Sequence, residues 1–419
     1  MPSDHDQQAT QLRQEAARCV ACGLCVPHCP TYRKTFNEAD SPRGRIFMMV
    51  GLLEGRLPSS PELLHHLDLC LGCRACEQAC PSKVAYGRLA DGMRDWMSPV
   101  QPRLRKVLFV SVRSPRLLSG GAGLLRFYQR SGAQKLARRS GLLDRLGLAA
   151  IEAQLPAHHH AAPTTGLHLP AGTPHGTVGL FLGCVARIFD AQTLNAALFV
   201  LNRLGYAVDI PAHQGCCGAL HQHNGDLGTA DILRQVNLNA FAGRILSAIV
   251  HAASGCAASL AEYQPPLNAP IMDISTFLDQ AEGWPSVSIA PLDSAVSVHE
   301  SCASRNVLHD SQSAYSLLAR IPNLVIGALA GNDQCCGAAG SYALTQPKMA
   351  GLLLRDKIEA VKTGTVSHGR TRIIVTSNPG CALHMAAGFR AEGMDVEVMH
   401  PVTLLAKQMG YFEVPNNAG

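Results

Sequence analysis

The sequence is poor in aromatic residues and has no long apolar run, and both absences narrow its function. Aromatic residues make up 5% of the 419 residues. No apolar run approaches the roughly 18–20 residues that a membrane-spanning helix needs. The first ten residues are polar, so no signal peptide is expected. The chain also lacks a G-x-G-x-x-G fingerprint and any flavin-binding motif. We therefore expect neither a membrane span nor a nucleotide cofactor on this chain.

No cysteine is left outside a pattern, although the chain has 16 of them. Eight form two runs near the N-terminus, each spaced C-x2-C-x2-C-x3-C-P: Cys19, Cys22, Cys25 and Cys29 before Pro30, and Cys70, Cys73, Cys76 and Cys80 before Pro81. This is the run of bacterial two-cluster ferredoxins, whose fourth cysteine binds the other cluster. The spacing predicts one 4Fe-4S cluster on Cys19, Cys22, Cys25 and Cys80, and a second on Cys70, Cys73, Cys76 and Cys29.

Zinc and disulfides are the alternatives for these two runs. Zinc usually takes two C-x2-C pairs rather than two four-cysteine runs that end in proline. Disulfides need an oxidising compartment, which the polar N-terminus does not indicate. Clusters whose irons are all closed by cysteine sulfur have no open site for a substrate, so the spacing favours electron transfer over catalysis.

A basic segment follows the two runs. Residues 101–145 contain eleven Lys and Arg residues and one acid, Asp144, whereas the whole chain has a net charge of +5. Broken amphipathic patterns predict two or three short helices there. We expect this surface to face a partner protein, with an anionic membrane surface as the alternative. Nucleic-acid binding is not expected, because no aromatic residues alternate with the basic ones.

The remaining eight cysteines belong to a repeated pattern that begins near Thr177. Each copy reads strand, cysteine, helix, strand, Cys-Cys-Gly, helix, and a final Gly-Cys. Matching cysteines are separated by 118, 119 and 125 residues, which predicts two similar α/β units. The candidate ligands, in chain order, are Cys184, Cys216, Cys217 and Cys256, then Cys302, Cys335, Cys336 and Cys381.

The fold class expected from these patterns is α+β and multidomain. A mainly helical, two-cluster ferredoxin-like domain over 1–98 precedes a basic helical segment with a Pro/His/Ala-rich linker over 99–176. Two pseudo-repeated α/β cysteine-rich domains then cover 177–290 and 291–419. The linker contains His158, His159 and His160, and its composition favours flexibility over a metal site.

The Cys-Cys-Gly repeats resemble the cysteine-rich domain of heterodisulfide-reductase-type proteins. The motif of those proteins ends in C-x2-C and so has five cysteines. Here the last position is Ser259 in the first copy and His384 in the second. Each copy is therefore expected to hold either a four-cysteine cluster, with His384 as an alternative ligand in the second, or reduced structural thiols. The neighbouring histidines His221, His223 and His299 are expected to support the fold rather than to act in catalysis.

The whole chain resembles the iron–sulfur subunit of bacterial glycolate dehydrogenase (glycolate oxidase). The resemblance is carried by Cys29-Pro30-Thr31-Tyr32, Ser41-Pro42-Arg43-Gly44-Arg45, Gly215-Cys216-Cys217-Gly218 and Ala338-Ala339-Gly340-Ser341-Tyr342, and the residues after Cys302 depart from it. It implies an electron-transfer subunit that is not catalytic alone. FAD would be bound only by partner subunits that oxidise glycolate to glyoxylate, and the quinone pool at the cytoplasmic face of the inner membrane would accept the electrons.

Two other functions remain open from the sequence. One is the equivalent subunit of a lactate or anaerobic glycerol-3-phosphate dehydrogenase. The other is a stand-alone reductase, similar to heterodisulfide reductase, that acts at the Cys-Cys-Gly sites.

Overall fold

The structure is a computed structural model that describes residues 4–97, 115–145, 152–156, 160–364 and 372–411. Its elements fall into a helical N-terminal part and two units with one β-sheet each. The coarse fold class, helical iron–sulfur-type domain followed by α/β units, agrees with the sequence prediction. No helix among the described residues is long and apolar enough to cross a bilayer.

The N-terminal part consists of short helices around the two cysteine runs. They are α1 (Asp4–Ala16), α2 (Pro30–Thr35), α3 (Pro42–Leu53), α4 (Pro61–Asp68), α5 (Ala75–Gln78) and α6 (Tyr86–Met97). Leu12, Met49, Leu89 and Met93 form part of their shared core. Each such side chain contributes about 1.5–3 kcal/mol on burial, so this core holds the cysteine loops in place.

The Ser41–Arg45 motif has a structural explanation. Ser41 accepts a hydrogen bond from the Gly44 backbone N at 2.9 Å and so caps α3, while Pro42 occupies its first turn. A Cβ on Gly44 would lie 2.0 Å from the carbonyl oxygen of Glu38. Only glycine therefore allows α3 to pack this closely on the preceding turn.

The basic segment is helical where the structure describes it. The helices are α7 (Pro115–Arg130), α8 (Ala133–Arg139) and α9 (Leu142–Arg145). Residues 101–114 of that segment, and His158 and His159 of the linker, lie outside the described residues. Arg390 donates hydrogen bonds to the carbonyl oxygens of Ala153 and Leu155, which ties the end of the segment to the last unit.

The first sheet has the order β1-β3-β2-β4-β5. Its strands are β1 (Gly166–His168), β2 (Gly176–Phe181), β3 (Tyr206–Ile210), β4 (Ala248–His251) and β5 (Ile271–Asp273). Its helices are α10 (Val185–Phe189), α11 (Ala191–Arg203), α12 (Ala219–Gln222), α13 (Leu227–Phe241), α14 (Ser254–Ala261) and α15 (Ile274–Asp279). The expected linker thus contributes an edge strand, because β1 pairs antiparallel with β3. The edge strand is defined by backbone pairing with β3, so the composition of the linker does not predict it.

The second sheet has the order β7-β6-β8-β9 and is entirely parallel. Its strands are β6 (Ala295–Val298), β7 (Val325–Ala328), β8 (Ile373–Val375) and β9 (Glu397–Met399). Its helices are α16 (Gln312–Leu318), α17 (Tyr342–Thr345), α18 (Pro347–Lys362), α19 (Pro379–Ala391) and α20 (Pro401–Gln408). Apart from β1, both sheets place their strands in the same order.

One apolar core joins the two sheet units. Leu194 and Val200 of α11 belong to the same buried cluster as Val402 and Leu405 of α20, and all four are fully buried. The two units therefore pack as one body, and the relative positions of their cysteine turns are set by this core.

Candidate metal centres

The first predicted quartet of the N-terminal runs lines one hollow. Cys19, Cys22 and Cys25 of the first run meet Cys80 of the second around a space of about 430 Å³ that is open to solvent. The pKa of Cys25 is raised to about 11, mainly by burial and in smaller part by nearby Cys19, Cys22 and Cys80. A thiol whose negative charge is disfavoured in this way is a donor that a cationic iron–sulfur core would stabilise.

The second predicted quartet lines a neighbouring hollow. Cys70 and Cys73 meet Cys29 of the first run, and Cys76 borders both hollows. The structure thus places the fourth cysteine of each run beside the first three cysteines of the other run, which is the exchange that the x3 spacing predicts. That these thiols ligate iron stays a prediction.

The two runs share an unusual backbone conformation. In each, the third and fifth residues have positive φ: Ala21 (57°) and Gly23 (83°) in the first run, Gly72 (65°) and Arg74 (57°) in the second. A non-glycine residue pays roughly 1–2 kcal/mol for this region. The loops adopt this conformation despite its cost because it places three thiols of each run around one point.

A buried arginine accompanies the second hollow. Arg45 is 1% exposed, its Nη1 lies 3.9 Å from Cys29 Sγ, and its Nη2 donates to Thr31 Oγ1 at 3.0 Å. Burial opposes its charge, but Tyr86 and the nearby thiols raise the pKa of Arg45 overall. Sequence reasoning missed this group, which places positive charge beside a thiol-rich site.

The four cysteines of the first repeat come together where neighbouring parallel strands end. Cys184 follows β2, the Cys216–Cys217 pair follows β3, and Cys256 follows β4 at the start of α14. Cys184 Sγ lies 3.3 Å from Cys216 Sγ, and Cys216 and Cys256 are close enough to Cys217 to raise the pKa of its thiol. The hydrogen bonds from Cys184 and Cys217 lower the pKa of Cys216 well below its usual value.

The second repeat has the same chain of thiols. Along the order Cys302, Cys335, Cys336 and Cys381, each thiol is close enough to the next to shift its pKa. The pKa of Cys335 is lowered by Cys302 and Cys336, as that of Cys216 is in the first repeat. Both repeats therefore gather all four predicted cysteines.

The glycine of each Cys-Cys-Gly turn is required by space as well as by conformation. Gly218 has φ 87° and Gly337 has φ 94°. Their backbone N–H groups point at Cys216 Sγ and Cys335 Sγ, at 3.5 and 3.4 Å. A Cβ on Gly337 would lie 2.7 Å from the carbonyl oxygen of Ala350. Both turns therefore favour glycine by conformation, and the second also lacks space for a Cβ.

Ser259 and His384, which stand where the heterodisulfide-reductase motif has its fifth cysteine, have different surroundings. Ser259 donates a hydrogen bond to the carbonyl oxygen of Cys217 at 3.0 Å. Burial lowers the pKa of His384, and its Nε2 has no hydrogen-bond partner among the described residues. Among the described residues, the group of three donors close enough to hold one metal ion is instead His299, Cys336 and Cys381. Burial lowers the pKa of His299 to about 3, so its ring is neutral.

The other histidines singled out from the sequence lie in structural contacts. His221 Nδ1 lies 2.9 Å from Asp226 Oδ2. His223 Nδ1 lies 3.0 Å from Asp91 Oδ2, across the contact between the N-terminal part and the first sheet unit. That these two histidines support the fold rather than act in catalysis stays a prediction.

The second repeat lies against the second hollow of the N-terminal part. Burial raises the pKa of Cys73 and nearby Cys335 raises it further, while Cys73 adds to the raised pKa of Cys302. Asn306 donates to the carbonyl oxygen of Cys73 at 2.8 Å, and the Tyr342 hydroxyl donates to that of Leu69 at 2.9 Å. Tyr342 belongs to a motif that carries the family resemblance, whereas Asn306 is among the residues that depart from it. Both residues form this contact.

Family models match three parts of the chain. The 4Fe-4S dicluster domain matches residues 15–84, the linker region of the glycolate oxidase iron-sulfur subunit matches 100–155, and the cysteine-rich domain matches 178–261 and 296–386. Together these matches cover both cysteine runs and both repeats.

Curated relatives match over almost the whole length. A probable glycolate oxidase iron-sulfur subunit of Bacillus subtilis is 33% identical over 95% of both chains. The glycolate oxidase iron-sulfur subunit of Escherichia coli is 30% identical over 89% of this chain and 90% of its own. Lactate utilization protein A of Oceanobacillus iheyensis is 26% identical and covers 54% of this chain.

Proposed function

The chain belongs to the family of glycolate oxidase iron–sulfur subunits, and from this we propose that it passes electrons from reduced flavin on partner subunits towards quinone. The partners would oxidise glycolate to glyoxylate and carry the FAD. The complex would lie at the cytoplasmic face of the inner membrane, with the basic segment against a partner or the lipid surface. This chain alone would turn over no substrate.

The observation that carries the proposal is the arrangement of the two hollows. They share Cys76 and Tyr86 in their walls, so two clusters held there would be neighbours. Iron–sulfur clusters accept and release single electrons. The thiols of this chain would hold the clusters, and buried Arg45 would offset the negative charge beside Cys29.

The ligand assignments are part of the proposal. One 4Fe-4S cluster would be held by Cys19, Cys22, Cys25 and Cys80, and the other by Cys70, Cys73, Cys76 and Cys29. The second cysteine-rich site would come next in the electron path, because Cys73 lies within electrostatic reach of Cys335.

The two sheet units are proposed to be a duplicated domain, with boundaries at 177–290 and 291–419. The shared strand order, β3-β2-β4-β5 against β7-β6-β8-β9, supports this. A chain that ends at residue 290 would leave Leu194 and Val200 without their partners in α20. We therefore expect neither unit to be soluble alone, which expression of each would test.

Substitution of one predicted cluster ligand tests whether electrons pass through the N-terminal clusters. In the complex with its flavin subunits, Cys22→Ala should leave the flavin reducible by glycolate and abolish reduction of a quinone acceptor. Val20→Ala, in the same loop but with an exposed side chain, should leave acceptor reduction unchanged. Full acceptor reduction by the Cys22→Ala complex would show that electrons take another path.

Substrate choice separates glycolate from the related alternatives. The complex should bleach its cluster absorbance with glycolate and not with lactate or glycerol 3-phosphate. Bleaching by lactate alone would assign the chain to lactate oxidation. Turnover of a disulfide or quinone by this chain alone, with an artificial electron donor, would support the stand-alone reductase instead.

A further inference from the structure

His299 is held rigidly at the edge of the second cysteine-rich site. It directly follows strand β6 and precedes Cys302 by three residues. Its backbone N donates to the carbonyl oxygen of Val375 at 2.8 Å, and its ring Nδ1 lies 3.1 Å from Thr376 Oγ1. With 1% of its surface exposed, the imidazole has one fixed orientation.

The ring of His299 lies beside two thiols of the second site. A ring nitrogen of His299 and the Sγ atoms of Cys336 and Cys381 all lie within 4.8 Å of one another. Nε2 is buried and has no hydrogen-bond partner in the part of the chain that the structure describes. A buried polar atom without a hydrogen-bond partner costs about 1–3 kcal/mol. A ligand bound at Nε2 would remove this cost.

The contact at Nδ1 is the one that metal-binding histidines use. A ligating histidine almost always hydrogen-bonds its second ring nitrogen to an oxygen, which fixes the ring and its tautomer. Thr376 Oγ1 occupies that place here. The geometry is therefore that of an imidazole prepared to bind metal through Nε2.

We propose that Nε2 of His299 is a ligand to iron in an iron–sulfur cluster held by the four thiols of the second cysteine-rich site. The proposal rests on the proposed function only in taking the metal to be an iron–sulfur cluster. Four thiols and one imidazole exceed the four ligands of a structural zinc ion. Contact with Cys73 also places the site beside an electron carrier, where redox-inactive zinc would have no use.

The first site offers no equivalent nitrogen. Phe181 precedes Cys184 by three residues, as His299 precedes Cys302. The Phe181 ring is buried and its centroid lies 6.4 Å from that of Phe241. A carbon ring has no lone pair to donate, so the first site cannot bind iron through nitrogen at this position.

Nitrogen hyperfine spectroscopy tests the proposal directly. The full chain, labelled with ¹⁵N only in histidine, is loaded anaerobically with iron and sulfide, reduced, and measured by pulsed EPR. We expect a ¹⁵N coupling of a directly bound imidazole in the unchanged chain. The coupling should be lost in His299→Ala and retained in the matched control His384→Ala.

A second variant covers the case in which His299→Ala does not fold. His299→Cys keeps a metal donor at this position, so it should keep the iron content of the unchanged chain while losing the ¹⁵N coupling. Absence of the coupling from the unchanged chain, its persistence in His299→Cys, or zinc in place of iron at this site would each overturn the proposal.

These results are separable from the proposed function. Acceptor reduction driven by glycolate is measured on the same preparations after the flavin subunits are added. Electron transfer without any ¹⁵N coupling would overturn the histidine ligand alone. A coupling without electron transfer from glycolate would support the histidine ligand and overturn the proposed function.

Discussion

The two cysteine-rich sites have the same four thiols in the same order, but different residues surround them. At the first site, Ser259 and the Tyr263 hydroxyl donate to the carbonyl oxygen of Cys217, and Asn237 donates to that of Cys216. Counting from the matching cysteines, the corresponding positions of the second site hold His384, Gly388 and Asp356. The hydrogen bonds that brace the first site therefore have no counterpart at these positions of the second.

The second site has nitrogen groups where the first has carbon. His299 stands at the position of Phe181, and Lys357 at that of Leu238. Lys357 is 1% exposed, and burial lowers its pKa while the thiols of Cys336, Cys335 and Cys381 raise it. Two sites with the same four thiols thus differ in their surroundings, which is the basis for our proposal that the first is structural and the second transfers electrons beside Cys73.

The largest expected effect comes from removing one thiol at each site. Cys336→Ser should lower glycolate-driven acceptor reduction by at least about 100-fold, at the upper end of the losses seen when metal sites are disturbed. Cys217→Ser should lower it less than about tenfold, because the first site is not beside Cys73. Steady-state rates of the assembled complex measure both. Equal losses would place both sites on the electron path.

The turn glycines should differ in their effect on stability. Gly337→Ala combines positive φ with a contact of 2.7 Å to Ala350, so it should destabilise the fold by about 2–4 kcal/mol. Gly218→Ala meets Ala230 at 3.2 Å and should cost about 1–2 kcal/mol. Urea unfolding midpoints under anaerobic conditions test the order. A larger shift for Gly218→Ala would contradict it.

The buried lysine should tune the second site alone. Lys357→Leu copies the first site and removes positive charge near the thiols, so the reduced cluster should become less stable. We expect its potential to fall by on the order of 40 mV, equivalent to about 1 kcal/mol. An EPR redox titration measures this. The signals of the two N-terminal clusters serve as internal controls, and an unchanged second-site potential would exclude the charge effect.

The smallest effect concerns the contact between the first sheet unit and the N-terminal part. Asp91 raises the pKa of His223 above 6.5, so this pair stabilises the fold fully below pH 6.5 and loses its effect as the pH rises through the raised value. The His223 side chain is 49% exposed, so solvent screening limits the gain to below about 1 kcal/mol.

His223→Gln checks this pH dependence. The variant should unfold at lower urea concentration than the unchanged chain near pH ~5.5, and at the same concentration near pH ~8.5. His213→Gln, at an exposed histidine of the same unit, is the matched control. A difference that grows with rising pH would have the opposite sign and would rule out the ion pair.

Much of the secondary structure was predictable because it depends on local periodicity and capping. The repeat pattern predicted a strand before the first cysteine and a helix after it, and the structure has β2 (Gly176–Phe181) and α11 (Ala191–Arg203) there. The helix predicted after Cys-Cys-Gly is α13 (Leu227–Phe241), and strand β4 follows it. β1, β5 and β9 are three residues each and were not predicted, because such strands are defined by pairing with neighbours distant in sequence.

By itself, the sequence determined the identity and grouping of the sixteen thiols. Ligand loops are local, and their spacing limits which cysteines can surround one point. Only the tertiary structure decided what surrounds those thiols. Ser259 donates to a backbone carbonyl oxygen, His299 rather than His384 lies beside Cys336 and Cys381, and Cys335 lies close to Cys73. These contacts join strand ends, helices and a separate domain. Because the polar groups named here are buried, each has one hydrogen-bond partner or none.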